Sequence, residues 1–170
     1  MSRLSSDARW SLLQDVVQAS AQPGQPAPLF TAVDNALGGL VGHKLFTLTV
    51  LDQQSGEAER FYSNQPDAYP VSGRKQMVDT PWFRQVIAGK QHYLGRTIAD
   101  IRWAFFDHEL IEQLGCGSVI NVLAIHDDAV LGSANLLHEE NHYVANDIAD
   151  CLPFVQLLVP AFQRLIGQPA

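Results

Sequence analysis

Cys116 stands between Gly115 and Gly117, just before a strongly β-branched run that starts at Val119. Glycines on both sides permit close backbone approach and unusual dihedral angles. The sequence therefore allows an accessible, redox-sensing or nucleophilic thiol there. The same position suits a small apolar side chain that fills a core site. No base stands at a fixed short spacing from it, and Cys151 falls on the apolar stripe of a helical segment, which reads as core. The six histidines, His43, His92, His108, His126, His138 and His142, form no His-Glu-x-x-His pattern, and no Cys-x-x-Cys occurs. A zinc site thus has no support in spacing, and neither a metal nor a cofactor is expected. Serine nucleophile elbows, Walker loops and dinucleotide glycine patterns are missing as well.

Polar residues placed at strand spacing are the second group. Thr47, Thr49, Arg60, Tyr62, Asn121, Ser133 and Asn135 all fall in segments of sheet periodicity. Asn121 interrupts the apolar run Val119-Ile120-Asn121-Val122-Leu123, where an unpaired amide costs about 1–3 kcal/mol. It must pair with a neighbouring loop backbone or with a ligand. Thr47, Thr49, Asn121 and Asn135 share one face if the strand registers align, and such a face is what a small polar ligand uses. Arg60, Arg74, Arg96 and Arg102 are the cations available to grip a ligand carboxylate in a bidentate fashion, with surface ion pairs as the alternative.

The elements that must position these residues follow from hydrophobic period. Leu4, Ala8, Leu12, Leu13, Val16 and Val17 recur at helical spacing, and Pro23-Gly24-Gln25-Pro26 ends that helix. A second helix fits Pro28 to Leu40. Lys44 to Asp52 and Glu57 to Ser63 form a hairpin across Gln53-Gln54-Ser55-Gly56, with the first strand apolar on both faces and so central. Residues 64–80 read as irregular with room for one short strand. Thr80-Pro81-Trp82 opens a short helix that Gly89 closes, and His92-Tyr93-Leu94 is a brief strand. Asp107 to Leu114 is another short helix. Val119–Ile125 and Val130–Leu137 pair across Asp127-Asp128. A long helix over Tyr143–Ile166 is expected to bend at Pro153 and Pro160. Strands and helices segregate, which predicts an α+β fold: an antiparallel sheet with helices on one face.

Composition bounds the function classes. The chain has 170 residues with 11 Lys+Arg against 18 Asp+Glu, a formal charge of −7. That length suits one domain with a real core, and that balance speaks against nucleic-acid binding. No apolar run reaches the roughly 18 residues of a membrane span, and the start Met1-Ser2-Arg3-Leu4 lacks the layout of a secretory signal. Two cysteines make no disulfide framework. The expectation is a cytoplasmic protein without membrane or nucleic-acid partners.

From Leu29 to Phe162 the pattern resembles a GAF domain, the small-molecule sensory module related to PAS domains. The resemblance rests on Asp100-Ile101-Arg102, His108-Glu109-Leu110, Leu114-Gly115-Cys116-Gly117-Ser118 and the strand Val130–Leu136. It also rests on the order of elements. Asn141-His142-Tyr143 followed by Asp147 is a degenerate form of the cyclic-nucleotide signature, with His142 in place of Lys and Ile148 in place of Glu. Asp107 precedes His108 where bilin-binding members carry a cysteine.

The resemblance implies residues 1–27 as helix and linker, 28–166 as the GAF-like domain and 167–170 as a tail. It implies a cavity on the sheet face away from the terminal helices, covered by residues 64–115, with Tyr62, Tyr69, Trp82, Trp103, Phe105 and Phe106 as the aromatics of the covering region. The expected ligand residues are Thr47, Thr49, Arg60, Tyr62, Trp82, Arg102, His108, Asn121 and Asn135. The expected function is that of a stand-alone sensory domain for a small molecule, active in signal transduction. Trp10, Phe154, Leu157 and Leu158 on the terminal helices supply the surface of a homodimer. The alternatives are a thiol-dependent reductase using Cys116, like free methionine-R-sulfoxide reductase, or a ligand-free dimerisation scaffold.

Overall fold

Phe46, Leu48 and Val50 point one way and Leu45, Thr47, Thr49 and Leu51 the other, and the strand they form, β1 (Leu45–Asp52), runs through the middle of a six-stranded sheet. The computed structural model describes residues 3–168, so the extreme ends of the expected first segment and tail lie outside it. The other strands are β2 (Glu57–Ser63), β3 (Lys75–Gln76), β4 (Tyr93–Gly95), β5 (Ser118–His126) and β6 (Ala129–His138). Their order is β3-β2-β1-β6-β5-β4, every pairing antiparallel. Asp127 and Asp128, both at positive φ, make the tight turn between β5 and β6.

One face of the sheet carries the terminal helices. Helices α1 (Ser6–Ser20) and α2 (Ala27–Leu40) precede the strands, and α2 buries Phe30, Val33, Leu37 and Leu40 in the core. Helix α1 rides on α2 and is tied down by two arginines. Arg3 reaches Asp147 with Nη2–Oδ2 at 3.0 Å, and Arg9 reaches Asp150 with Nη1–Oδ1 at 3.0 Å. Both carboxylates are buried, so removing either arginine strands an uncompensated charge.

On the opposite face lie α3 (Pro81–Phe83), which runs on into a wide turn over Arg84–Ala88, then α4 (Ile98–Ala104) and α5 (His108–Gln113). Thr80 caps α3 by accepting from the Phe83 N–H at 3.0 Å, as its sequence position predicts. Helix α4 is absent from the periodicity reading. Its signal is local: Thr97 accepts from the Asp100 N–H while Asp100 Oδ2 accepts from the Thr97 N–H, a reciprocal cap.

The expected single helix over Tyr143–Ile166 is two, α6 (Ala145–Gln156) and α7 (Val159–Leu165), inclined by 60°. Pro153 is tolerated inside α6, whereas Pro160 stands in the first turn of α7, where its missing N–H costs nothing. Phe154 and Leu158 are buried in the protein's own core rather than offered to a second copy, while Trp10 stays 61% exposed. Among the described residues, no single helix is long and apolar enough to cross a membrane.

Gly132 on β6 fixes how closely α7 approaches. A Cβ there meets the Thr49 carbonyl oxygen and the Phe162 ring at 2.7 Å. Gly132→Ala is expected to lower stability by about 1–3 kcal/mol through this overpacking, measured as a shift of the urea midpoint.

Candidate functional site

Leu45, Thr47, Thr49 and Leu51 of β1, Ser133, Asn135 and Leu137 of β6, and Ala58 and Arg60 of β2 floor a cavity of about 480 Å³. Its roof comes from Trp82, Phe83, Ile87, Ala104, Phe105, Phe106 and Ile111, with Tyr69, Met77 and Val78 closing the β3 side. That volume lies within the roughly 300–1,000 Å³ typical of small-molecule sites. Phe106 and Val78 are exposed at 82% and 58%, apolar side chains at the mouth.

Strand register assembles the polar floor. Asn135 stands opposite Thr47 on one side and Asn121 on the other, and Ser133 stands opposite Thr49. Asn121, 1% exposed, pairs with neighbouring side chains and not with a loop backbone. Its Oδ1 accepts from the Trp82 indole N–H at 3.1 Å, and its Nδ2 donates to Asn135 Oδ1 at 2.8 Å. Asn135 also accepts from Ser133 Oγ at 3.0 Å and donates from Nδ2 to Thr47 Oγ1 at 3.1 Å and Thr49 Oγ1 at 3.4 Å. A short helix of the roof is thereby hydrogen-bonded to the sheet.

At the β2 end, the Arg60 guanidinium lies 4.0 Å over the Tyr69 ring and donates from Nη1 to the Pro70 carbonyl at 2.8 Å. Tyr69 donates its hydroxyl to Asp107 Oδ2. Burial and the Asp107 charge raise the Tyr69 hydroxyl well above its ordinary range, so it stays a donor. Lys75 and Asp107 also line this end.

Five of the nine expected site residues line the cavity, Thr47, Thr49, Arg60, Trp82 and Asn135, and a sixth, Asn121, is bonded to Trp82 and Asn135 behind that lining. The other three do not. Pairing between β1 and β2 slips by one residue, Leu48 opposite Tyr62 but Thr49 opposite Arg60. This bulge turns Tyr62 to the helix side, where it packs on Phe30 and Phe46 and donates to Asp34 Oδ2 at 2.6 Å. Arg102 forms a bidentate pair with Glu112, 2.8 and 3.1 Å, on the outer side of α4 and α5. His108 lies 3.7 Å from the same carboxylate, and it is Asp107, one residue earlier, that reaches the cavity. Trp103 leaves the roof to pack at 5.6 Å against Tyr93. Tyr69 lines the cavity as one of the expected covering aromatics, whereas Asp107 is a lining residue outside the expected set, its one signal being its place just before a short helix.

Cys116 is 3% exposed and packs in the cavity-side core without lining the cavity. Burial pushes its thiol up to about 11, away from thiolate character. Cys151 is buried on the other side of the sheet, and burial raises its thiol too.

His138, Glu139 and His142 bring donor atoms within 4.8 Å of one another, the two imidazoles stacked at 3.6 Å. Their geometry does not suit a cation. His138 Nδ1 accepts from the Glu139 N–H, His142 Nε2 contacts the Val41 carbonyl at 2.7 Å, and Arg3 and Lys44 flank the cluster.

No family model matches the sequence, and no curated protein does. Solved structures do match. The GAF domain of a phosphoenolpyruvate-protein phosphotransferase from Coxiella burnetii superposes with a TM-score of 0.75 at 15% identity, covering 95% of this chain and 96% of that one. The fRMsr of Staphylococcus aureus, in complex with substrate, gives 0.66 at 11%, covering 95% and 99%. The chromophore-binding domain of a Stigmatella aurantiaca bacteriophytochrome gives 0.62 at 11%, covering 94% of this chain and 62% of that one. The chain has the GAF fold.

Two histidines make this fold sensitive to acid. Burial lowers the pKa of His92, whose Nδ1 accepts from the Leu123 N–H at 3.0 Å. Burial first, then the charge of neighbouring His142, lowers that of His138. The fold disfavours the charged form of both, while the unfolded chain takes up protons near the ordinary value of about 6.5. The stability is therefore complete above that pH and falls as the pH drops below it. The melting temperature is expected to fall between about pH 7.5 and 5.5, and the His92→Gln/His138→Gln double variant should flatten that slope.

Proposed function

We propose that this protein is a cytoplasmic GAF-type sensory or regulatory domain that holds a small molecule in the cavity between the sheet and its aromatic roof. The observation that carries the reading is the floor. A sheet face that serves packing alone is expected to be continuously aliphatic. Here Thr47, Thr49, Ser133 and Asn135 occupy the middle of that face beneath about 480 Å³ of space.

Thiol chemistry finds less support. The fold is shared with fRMsr, a GAF-fold reductase, but Cys116 is buried, protonated and off the cavity lining. A scaffold with a collapsed interior is disfavoured by the open volume.

Signalling then runs through a partner or through a dimer of this domain. Trp10 and Val17, 61% and 49% exposed and two turns apart on α1, form the apolar face that a homodimer through the terminal helices would cover. Light scattering at tens of micromolar is expected to give twice the mass of the chain; a monomer there contradicts the dimer. The cavity is tested by native mass spectrometry of the purified protein and by thermal shift against a metabolite panel. A bound small molecule is expected, and a ligand at a hundredfold its Kd adds about 2.7 kcal/mol. Loss of that shift in Ser133→Leu, which fills the floor, places the ligand in the cavity. A bare protein that no metabolite stabilises contradicts the reading.

A further inference from the structure

We infer that the cavity is built to receive an oxyanion, namely a carboxylate carried on an apolar, aromatic or branched body; this rests on the reading of the cavity as a small-molecule site. The direction of each hydrogen bond in the floor carries the inference. An indole N–H donates and cannot accept. The Trp82 contact therefore fixes Asn121 with Oδ1 toward the indole and its amide nitrogen toward Asn135. Asn135 must in turn present Oδ1 to Asn121, which leaves its own amide nitrogen for Thr47 and Thr49. Both hydroxyl oxygens are accepting, so both hydroxyl protons are free to point into the cavity. One donor-only ring in the roof thus sets the polarity of the floor three side chains away.

The neighbouring groups have the same sign. Thr49 is the cross-strand partner of Arg60. The Arg60 guanidinium is held by the Tyr69 ring and the Pro70 carbonyl, and its Nε has no hydrogen-bond partner. Lys75 adds a second cation at the lip. The one carboxylate that lines this end, Asp107, is engaged by the Tyr69 hydroxyl. Two cations against one carboxylate, beside two hydroxyl donors, favour a monoanion. The facing wall of Trp82, Phe83, Ile87, Phe105 and Ile111 suits an apolar body and not a second charge.

Isothermal titration of the full chain with benzoate, phenylacetate and indole-3-acetate, each beside its neutral amide, tests this. At least one acid should bind at least tenfold more tightly than its amide. Arg60→Gln should abolish that preference. Asn135→Asp should weaken the acid at least tenfold and leave the amide within about twofold, because a carboxylate at 135 draws the threonine protons inward and repels the anion. Melting curves confirm that this variant is folded, and Arg60→Gln decides the question if it is not. Amides that bind as well as acids, or acids indifferent to both substitutions, overturn the oxyanion inference. In that case binding lost in Ser133→Leu leaves the cavity reading standing. If neither acid nor amide binds, the inference also fails; the cavity reading then stands only on a neutral molecule found bound by native mass spectrometry.

Discussion

A buried amide that lacks partners costs about as much as a large part of a domain's net stability, and Asn121 is 1% exposed in the middle of a sheet. Its need for partners organises the cavity side of the molecule. Asn121 can be satisfied only if β5 and β6 keep the register that puts Asn135 opposite, and only if α3 brings Trp82 within reach. A one-residue slip of β6 sends Asn135 to the helix face and leaves both amides unpaired. The floor is therefore locked in register by its polar groups, where a purely aliphatic face would tolerate repacking.

The two faces of the sheet divide the work. Toward the terminal helices the packing is dense and apolar, from Phe46 and Leu136 to Phe154 and Phe162, and Gly132 lets α7 sit directly on the strand. The Arg3–Asp147 and Arg9–Asp150 pairs, with buried carboxylates and partly exposed arginines, anchor α1 and the residue stretch before it to α6 without filling that core. Toward the cavity, short helices and a long irregular segment cover the sheet, tied by a few side-chain bonds. Such a cover of short elements is where local opening to admit a small molecule costs least.

Much of this arrangement is legible in the residues, and where it is not the reasons are physical. The alternation in β1 and the Asp127-Asp128 turn fix the two hairpins, and the order of elements yields the α+β sheet with the GAF connectivity. Thr47, Thr49, Asn121 and Asn135 share a face because strand period is two and the hairpin lengths match. Tyr62 escapes the same logic because a single-residue bulge, which leaves no mark in composition, reverses its side. Arg102 and His108 fall near the roof in sequence, but Arg102 pairs with Glu112 and His108 lies beside the same carboxylate, an arrangement that depends on how α4 and α5 pack. Helix α4 has too few residues for a periodic stripe, and only its Thr97–Asp100 cap announces it.

Neutron diffraction from a perdeuterated crystal of the ligand-free protein reads the floor's polarity most directly. Deuterons on Thr47 Oγ1 and Thr49 Oγ1 should point into the cavity, with the Asn135 amide deuterons directed at both oxygens. Threonine deuterons aimed at Asn135, or an Asn121 amide turned with its nitrogen toward Trp82, would contradict the account.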